Sequence, residues 1–244
     1  MKLCISLATR GRPEQLIETI NRSTANLVLP NTVFMVQIDE DDKDTINALA
    51  KAELDKRVVF NVKPREDTIG EKWNRALSEP ADLYLAAADD DPYITPAYDA
   101  KLVEAAKLFP DGIGMVYGHL ANASFTCAVS CTAKWVELTG NKLFQEYFPY
   151  WFVDHWTDDV AKITGRISVA DVLTDQSKVG KTQEMREPAW WASWFDAAHL
   201  MRRKQAFDII DKLDEPEWRK EMQRAHTPII EYHSRWINQG VRNR

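Results

Sequence analysis

Apolar and polar positions follow two alternating rhythms along the first 120 residues. Leu3, Ile5 and Leu7 recur at every second position, the spacing of a strand. Thr9-Arg10-Gly11-Arg12-Pro13 reads as a loop whose proline suits the first turn of a helix, with Leu16, Ile17 and Ile20 as its apolar stripe. A second strand over 33–38 stops at Asp39-Glu40-Asp41-Asp42, and 43–56 carries Ile46, Leu49, Ala50 and Leu54 at helical spacing. A third strand covers 58–62. Thr68-Ile69-Gly70-Glu71 fits a capping box that opens a helix through Trp73, Ala76 and Leu77. A fourth strand over 83–87 runs into Asp89-Asp90-Asp91. Thr95-Pro96 starts a helix with Tyr98, Leu102, Ala105 and Phe109 on one face, and Pro110-Asp111-Gly112 stops it.

This alternation predicts an α/β fold, a three-layer Rossmann-like arrangement around a mostly parallel sheet. Ligands of such sheets sit outside the carboxyl ends of the strands. The polar clusters Thr9-Arg10, Asp39 to Asp42 and Asp89 to Asp91 all fall there, so three separate stretches of chain aim at one rim. After a fifth strand near 113–117 the pattern is irregular. Residues 125–131 could add a strand, 135–165 are rich in aromatics and acids, and 171–188 are polar with a mobile loop at Gly180. From Ala189 the chain reads as helical, with Leu200, Phe207, Ile210 and Leu213 as one stripe. The expected division is an α/β domain over 1–170, with a loop and helical extension over 171–244.

Composition narrows the classes. With 244 residues, 45% of them hydrophobic, there is material for one sizeable core or a domain plus an appendage. A net charge of −6 argues against a general nucleic-acid coat or polybasic membrane binder, although ten Lys/Arg against seven Asp/Glu between 200 and 244 leave a locally basic tail. No apolar run is long enough to span a membrane, and the start lacks a secretory leader's apolar stretch, so the expectation is a soluble cytoplasmic protein. Cys4, Cys127 and Cys131 suggest reduced, mostly buried thiols rather than a disulfide framework.

The acids carry the chemistry. Adjacent carboxylates at a strand end are costly unless a cation or donors balance them, and hard oxygen ligands suit Mg²⁺ or Mn²⁺. Asp89-Asp90-Asp91 is therefore read as a metal site rather than a solvated turn. Asp39 is read as a single ligand-binding acid that accepts from a base or ribose, with Glu40, Asp41 and Asp42 solvated. Lys72 and Arg75 are neighbours on one helix and, with Arg10 and Arg12, could contact a nucleotide; for Arg75 a solvated helix face competes equally. If 153–164 is helical, Trp156, Val160 and Ile163 are its buried stripe. Asp154 and Asp158 then face away and Asp159 sits at the stripe's edge, where partial desolvation would suit a general base. His226 or His233 could return to a metal. Trp190, Trp191 and Trp194 suit a lid, a sugar-stacking platform, a partner surface or ordinary packing. Gly180-Lys181-Thr182 imitates the end of a phosphate loop but has Asp175 where the first glycine belongs.

Taken together, Ile5-Ser6-Leu7-Ala8-Thr9-Arg10-Gly11-Arg12-Pro13, Asp39, Gly70-Glu71-Lys72-Trp73-Asn74-Arg75-Ala76 and Asp89-Asp90-Asp91 make residues 2–165 resemble the nucleotide-diphospho-sugar glycosyltransferases of A-type fold, near their family 2 group. The resemblance implies transfer of a hexosyl-type sugar from a nucleoside-diphosphate donor, usually a UDP-sugar, to an acceptor hydroxyl with inversion. It places Thr9, Arg10, Arg12, Asp39, Lys72, Asp89 and Asp90 on the nucleotide. Asp89 and Asp91, the outer acids of a D-x-D element, would hold Mn²⁺ or Mg²⁺, with His226 as a further ligand. Asp158-Asp159-Val160 matches the later acidic motif, making Asp159 the base beside Asp158. Thr157 stands where that motif usually has glycine, and Asn74 where an arginine-asparagine pair is often found. A nucleotidyltransferase of the same fold and a non-catalytic nucleotide-sugar-binding module are the alternatives.

Overall fold

The computed structural model describes residues 1–120, 126–175 and 187–225. The Gly180 loop, Gly180-Lys181-Thr182, His226 and His233 lie outside them. A seven-stranded sheet is built from β1 (Leu3–Ala8), β2 (Val33–Asp39), β3 (Val58–Lys63), β4 (Leu83–Ala88), β5 (Met115–Leu120), β6 (Thr126–Thr132) and β7 (Ile167–Thr174), in the order β3-β2-β1-β4-β6-β5-β7. β1, β2, β3 and β4 are parallel, β6 is antiparallel to both β4 and β5, and β5 pairs in parallel with β7. All six residues of β1 are buried, as befits a central strand covered on both faces. Leu3, Ile5 and Leu7 enter a core shared with Leu16 and Ile20 of α1 (Pro13–Thr24) and Tyr98 and Leu102 of α4 (Tyr98–Ala106), while Cys4 faces the opposite core. That second core holds Trp135, Phe148 and Trp156. It is covered by α3 (Ile69–Asn74), α5 (Ala133–Leu138), α6 (Val153–Thr164), α7 (Pro188–Ala197) and α8 (His199–Ile210). A mostly parallel three-layer α/β fold results. Cys4 and Cys131 are buried free thiols.

The differences from the sequence pattern have local causes. α2 ends at Leu49 (Lys43–Leu49) rather than near residue 56, and the chain then turns before β3, where the Asp55 carboxylate takes the Arg57 guanidinium at 2.7 Å. β7 runs across residue 170, the expected domain boundary. Its inward positions are Ser168, Ala170, Val172 and Thr174, while Val169 faces out, so the apolar alternation that marks a half-buried strand is nearly erased. Leu200 is 65% exposed and does not join the α8 stripe; the buried face carries Arg202, Ala206, Ile209 and Ile210. Arg202 can be buried because its guanidinium lies 3.7 Å from the Phe195 ring centroid and donates to Asp159 at 2.8 Å.

Helix α3 fixes what surrounds the rim. Its capping box is present, with Thr68 and Glu71 each bonded to the other's backbone. Asn74 uses its whole amide: the oxygen accepts from the Leu143 and Phe144 N–H groups, and the nitrogen donates to the Phe144 carbonyl and Glu146. A Cβ at Gly70 would lie 2.7 Å from the Gln145 carbonyl oxygen, so only glycine allows this approach of backbone to helix. Ile69 N–H donates to the Pro149 carbonyl at 3.0 Å. The chain from 143 to 149 is thereby tied to α3.

A candidate active site at the strand ends

The strand order reverses between β1 and β4, the point where sheets of this kind open a crevice. A cavity of about 740 Å³ lies there. Thr9 and Arg10 follow β1, Asp39 ends β2, Lys72 comes from α3, and Asp89 and Asp90 follow β4. These six and Arg12, every residue expected on a nucleotide, line this one cavity.

The floor is a charge network. Asp39, almost fully buried, accepts from Arg10 at 2.9 Å, Lys72 at 2.8 Å and Arg75 at 3.2 Å. Burial alone would push the Asp39 carboxyl up, but the Lys72 hydrogen bond and charge, with Arg10 and Arg75, hold it below its ordinary range. Burial outweighs Asp39's pull on Lys72 and lowers that ammonium, which also donates to the Thr9 carbonyl at 2.7 Å. Arg75 is not a solvated helix residue: its side chain is 5% exposed and also reaches the Ile38 and Pro64 carbonyls and Glu66. Asp41 and Asp42 also do more than face water. Asp41 takes Arg10 in a two-pronged pair at 2.7 and 2.9 Å, and Asp42 accepts from Gly11 N–H, where a φ of +67° suits glycine.

The second network sits at the end of β4. The Arg12 guanidinium pairs with Asp89 at 2.5 Å and Asp90 at 3.2 Å, and Thr9 Oγ1 donates to Asp89 at 2.7 Å. Burial pushes the Asp89 carboxyl up to about 6, further than Arg12 and Thr9 pull it down, and Asp90 adds to the rise. Two carboxylates thus face one guanidinium, on hard oxygen donors at the cavity wall. That excess negative charge fits Mg²⁺ or Mn²⁺ completed by phosphate oxygens, since one or two carboxylates suffice for such ions. Asp91 lies outside the cavity wall, and among the described residues no group of three His, Cys, Asp or Glu converges as a ready-made metal cage.

Asp89 should therefore cost stability at neutral pH. The native state keeps its proton to about pH 6, whereas an ordinary Asp releases it near 3.8, so its contribution falls as pH rises between those values. Asp89→Asn is expected to gain about 1–3 kcal/mol at pH 7 and nothing at pH 4, read from urea midpoints. Parallel pH profiles for the two proteins would contradict this.

The rest of the cavity's lining includes an aromatic wall. Pro149, Tyr150, Trp151, Val153 and Asp154 line it from the entrance of α6, and Trp191 from α7. The acids of α6 separate clearly. Asp154 lines the cavity and takes His155 Nδ1 at 2.8 Å. Asp158 pairs with Lys162 at 2.5 Å and Asp159 with Arg202 at 2.8 Å, and neither is on the cavity wall. Trp156, Val160 and Ile163 are buried as their spacing indicates. The face bearing Asp159, however, is covered by α8, a contact that no local pattern reveals, and Asp154 is left at the mouth. Desolvation would raise the Asp154 carboxyl, but the His155 hydrogen bond and charge bring it below its ordinary range. Burial would lower His155, and Asp154 raises it instead.

No family model and no curated protein sequence matches the chain. Solved structures do. S. aureus TarS 1–349 in complex with UDP-GlcNAc superposes with a TM-score of 0.58 at 14% identity, over 92% of this chain and 71% of that one. The mannosyltransferase PcManGT from Pyrobaculum calidifontis, in complex with GDP-Man and Mn²⁺, gives 0.55 at 14% identity, over 92% and 68%. The longer TarS structure gives 0.54, and there the chain spans 42% of its counterpart. At this identity the likeness establishes a common fold. Among the described residues no helix is long and apolar enough to cross a membrane.

Proposed function

We propose that the chain is a glycosyltransferase that moves a sugar from a nucleoside-diphosphate donor, a UDP-sugar in the first instance, to an acceptor hydroxyl with inversion. The carrying observation is the convergence of Thr9, Arg10, Arg12, Asp39, Lys72, Asp89 and Asp90 on one cavity that is also lined by a solvent-facing carboxylate, Asp154. The A-type folds of the TarS and mannosyltransferase structures, with their nucleotide-sugar ligands, support it.

The cations are already held in place. Arg10, the most exposed of the three that meet at Asp39, can exchange Asp41 for a diphosphate oxygen without moving its neighbours. Lys72, anchored between Asp39 and the Thr9 carbonyl, contributes fixed positive charge at the floor. Asp39 orients these groups and offers its remaining acceptor capacity to the nucleoside. A bound Mg²⁺ or Mn²⁺ would be held by Asp90 with Asp89 behind it and would offset the charge of the leaving diphosphate. In the transfer the acceptor oxygen forms a bond to the anomeric carbon. The bond from that carbon to the diphosphate oxygen breaks with its electron pair, and the acceptor's proton passes to Asp154. The base role thus moves from Asp159, engaged by Arg202, to Asp154.

The test is calorimetry and thermal shift with UDP, UDP-sugars and GDP-sugars, with and without Mn²⁺, followed by product analysis. UDP-sugar should raise the melting temperature, more so with Mn²⁺, and turnover should release nucleoside diphosphate. Release of pyrophosphate would favour a nucleotidyltransferase instead. Tight binding without turnover across an acceptor panel would favour a binding module.

A further inference from the structure

The aromatic wall has features that the donor half does not use. Phe148 is fully buried and touches Trp191, Trp194, Phe195 and Trp156 at centroid distances of 5.0–6.0 Å, pinning the loop from inside. Phe152 adopts φ +72°, a left-handed conformation that is costly for a bulky residue. It thereby turns its ring inward onto Phe195, stacked at 5.2 Å, while its neighbours Trp151 and Tyr150 stay 38% and 43% exposed. Pro149, at the other end of the pair, is tied to α3. The exposed rings are therefore held on a rigid support beside a cavity, where apolar surface is expensive to leave in water.

Charge decides what such rings can receive. Of the cavity's cations, Arg10, Arg12 and Lys72 are committed to Asp39, Asp41, Asp89 and Asp90 on the donor side, and Arg65 also acts there, on Asp41. On the aromatic side the charged group that the wall presents is Asp154, while Asp158, one turn behind it, is paired with Lys162. An acceptor bearing phosphates or sulfates would meet like charge there. Among the described residues the cavity's aliphatic members are Ala8, Ile69, Ala88, Pro149 and Val153, too few and too short to make an aliphatic channel for a lipid tail. A sugar ring answers both constraints, with a C–H face for the indole and hydroxyls for the carboxylate.

We infer that Tyr150, Trp151 and Trp191 form the acceptor subsite and that the acceptor is an uncharged carbohydrate, one ring stacked on Trp151 and a hydroxyl directed to Asp154. This rests on the glycosyltransferase reading. It is tested by titrating neutral oligosaccharides, a sulfated glycan, single-stranded DNA and detergent-dispersed lipid into the full chain, in the presence of saturating UDP, by tryptophan fluorescence and calorimetry. Neutral oligosaccharide should bind better than the other three. Trp151→Ala should weaken that binding at least tenfold with an unchanged UDP affinity, and Trp151→Phe, which keeps a ring, should recover most of it. Stronger binding of the DNA, the sulfated glycan or the lipid overturns the assignment, as does equal saccharide affinity in wild type and Trp151→Ala. If Trp151→Ala fails to fold, Tyr150→Ala and Trp151→Phe carry the same comparison. Loss of UDP binding in the wild type would instead sink the glycosyltransferase reading itself.

Discussion

Asp154→Asn should lower the rate of sugar transfer by about 10²- to 10⁴-fold, the usual contribution of a general base, while UDP affinity stays within about twofold. Asn keeps the shape and can still accept from His155 Nδ1, so the fold should be untouched. Asp159→Asn should behave in the opposite way. It leaves the buried Arg202 guanidinium with Phe195, Trp156 and a neutral amide oxygen in place of a carboxylate, a change in packing and charge away from the cavity. Its defect should appear in the urea midpoint, with kcat near normal in the folded fraction. An inactive, fully stable Asp159→Asn beside an active Asp154→Asn would return the base role to Asp159. The pH profile gives an independent reading. Because His155 holds the Asp154 carboxyl below its usual range, the ionised form persists to low pH, and the acid limb of kcat/KM should lie below that of an ordinary aspartate. His155→Phe removes that hold and should move the limb upward.

The largest combined loss is expected for Asp39→Ala. Arg10, Lys72 and Arg75 all converge on this carboxylate, and its removal leaves cations crowded together with too little compensation. The cost should be about 3–5 kcal/mol, a large fraction of a domain's usual margin of about 5–15 kcal/mol. UDP affinity should fall at least a hundredfold if these cations receive the diphosphate as proposed, since they lose their common anchor. Adding Lys72→Met should restore part of the stability, because one uncompensated charge disappears, without restoring UDP binding. A double variant no more stable than Asp39→Ala would show that repulsion among the cations is not the source of the defect.

The cluster at the strand ends was readable in the sequence because it follows from chain direction. Strands β1, β2 and β4 end in polar clusters, parallel strands end on the same side, and so Thr9, Asp39 and Asp89 meet. Helix α6 was readable for the same reason, as its stripe of Trp156, Val160 and Ile163 is local. What lay hidden depends on partners distant in sequence. Arg75 looks like any surface arginine until the Ile38 and Pro64 carbonyls are beside it. Asp159 looks like a poised acid until α8 brings Arg202 to it, and Asp154 looks idle until the inward turn of Phe152 leaves it at an opening. Strand β7 was concealed by chemistry rather than distance, since serine, alanine and threonine occupy the positions where a strand announces itself with larger apolar residues.

The intimacy of Gly70 with the Gln145 carbonyl limits how freely this scaffold can be re-engineered. A swapped segment 143–152 from another chain would have to follow the same backbone path to within a few tenths of an ångström, or arrive together with its own copy of 69–74. Chimeras meant to reshape the aromatic lining should therefore exchange the two stretches as one cassette, and point changes at Tyr150 or Trp151 offer a gentler route than loop grafting.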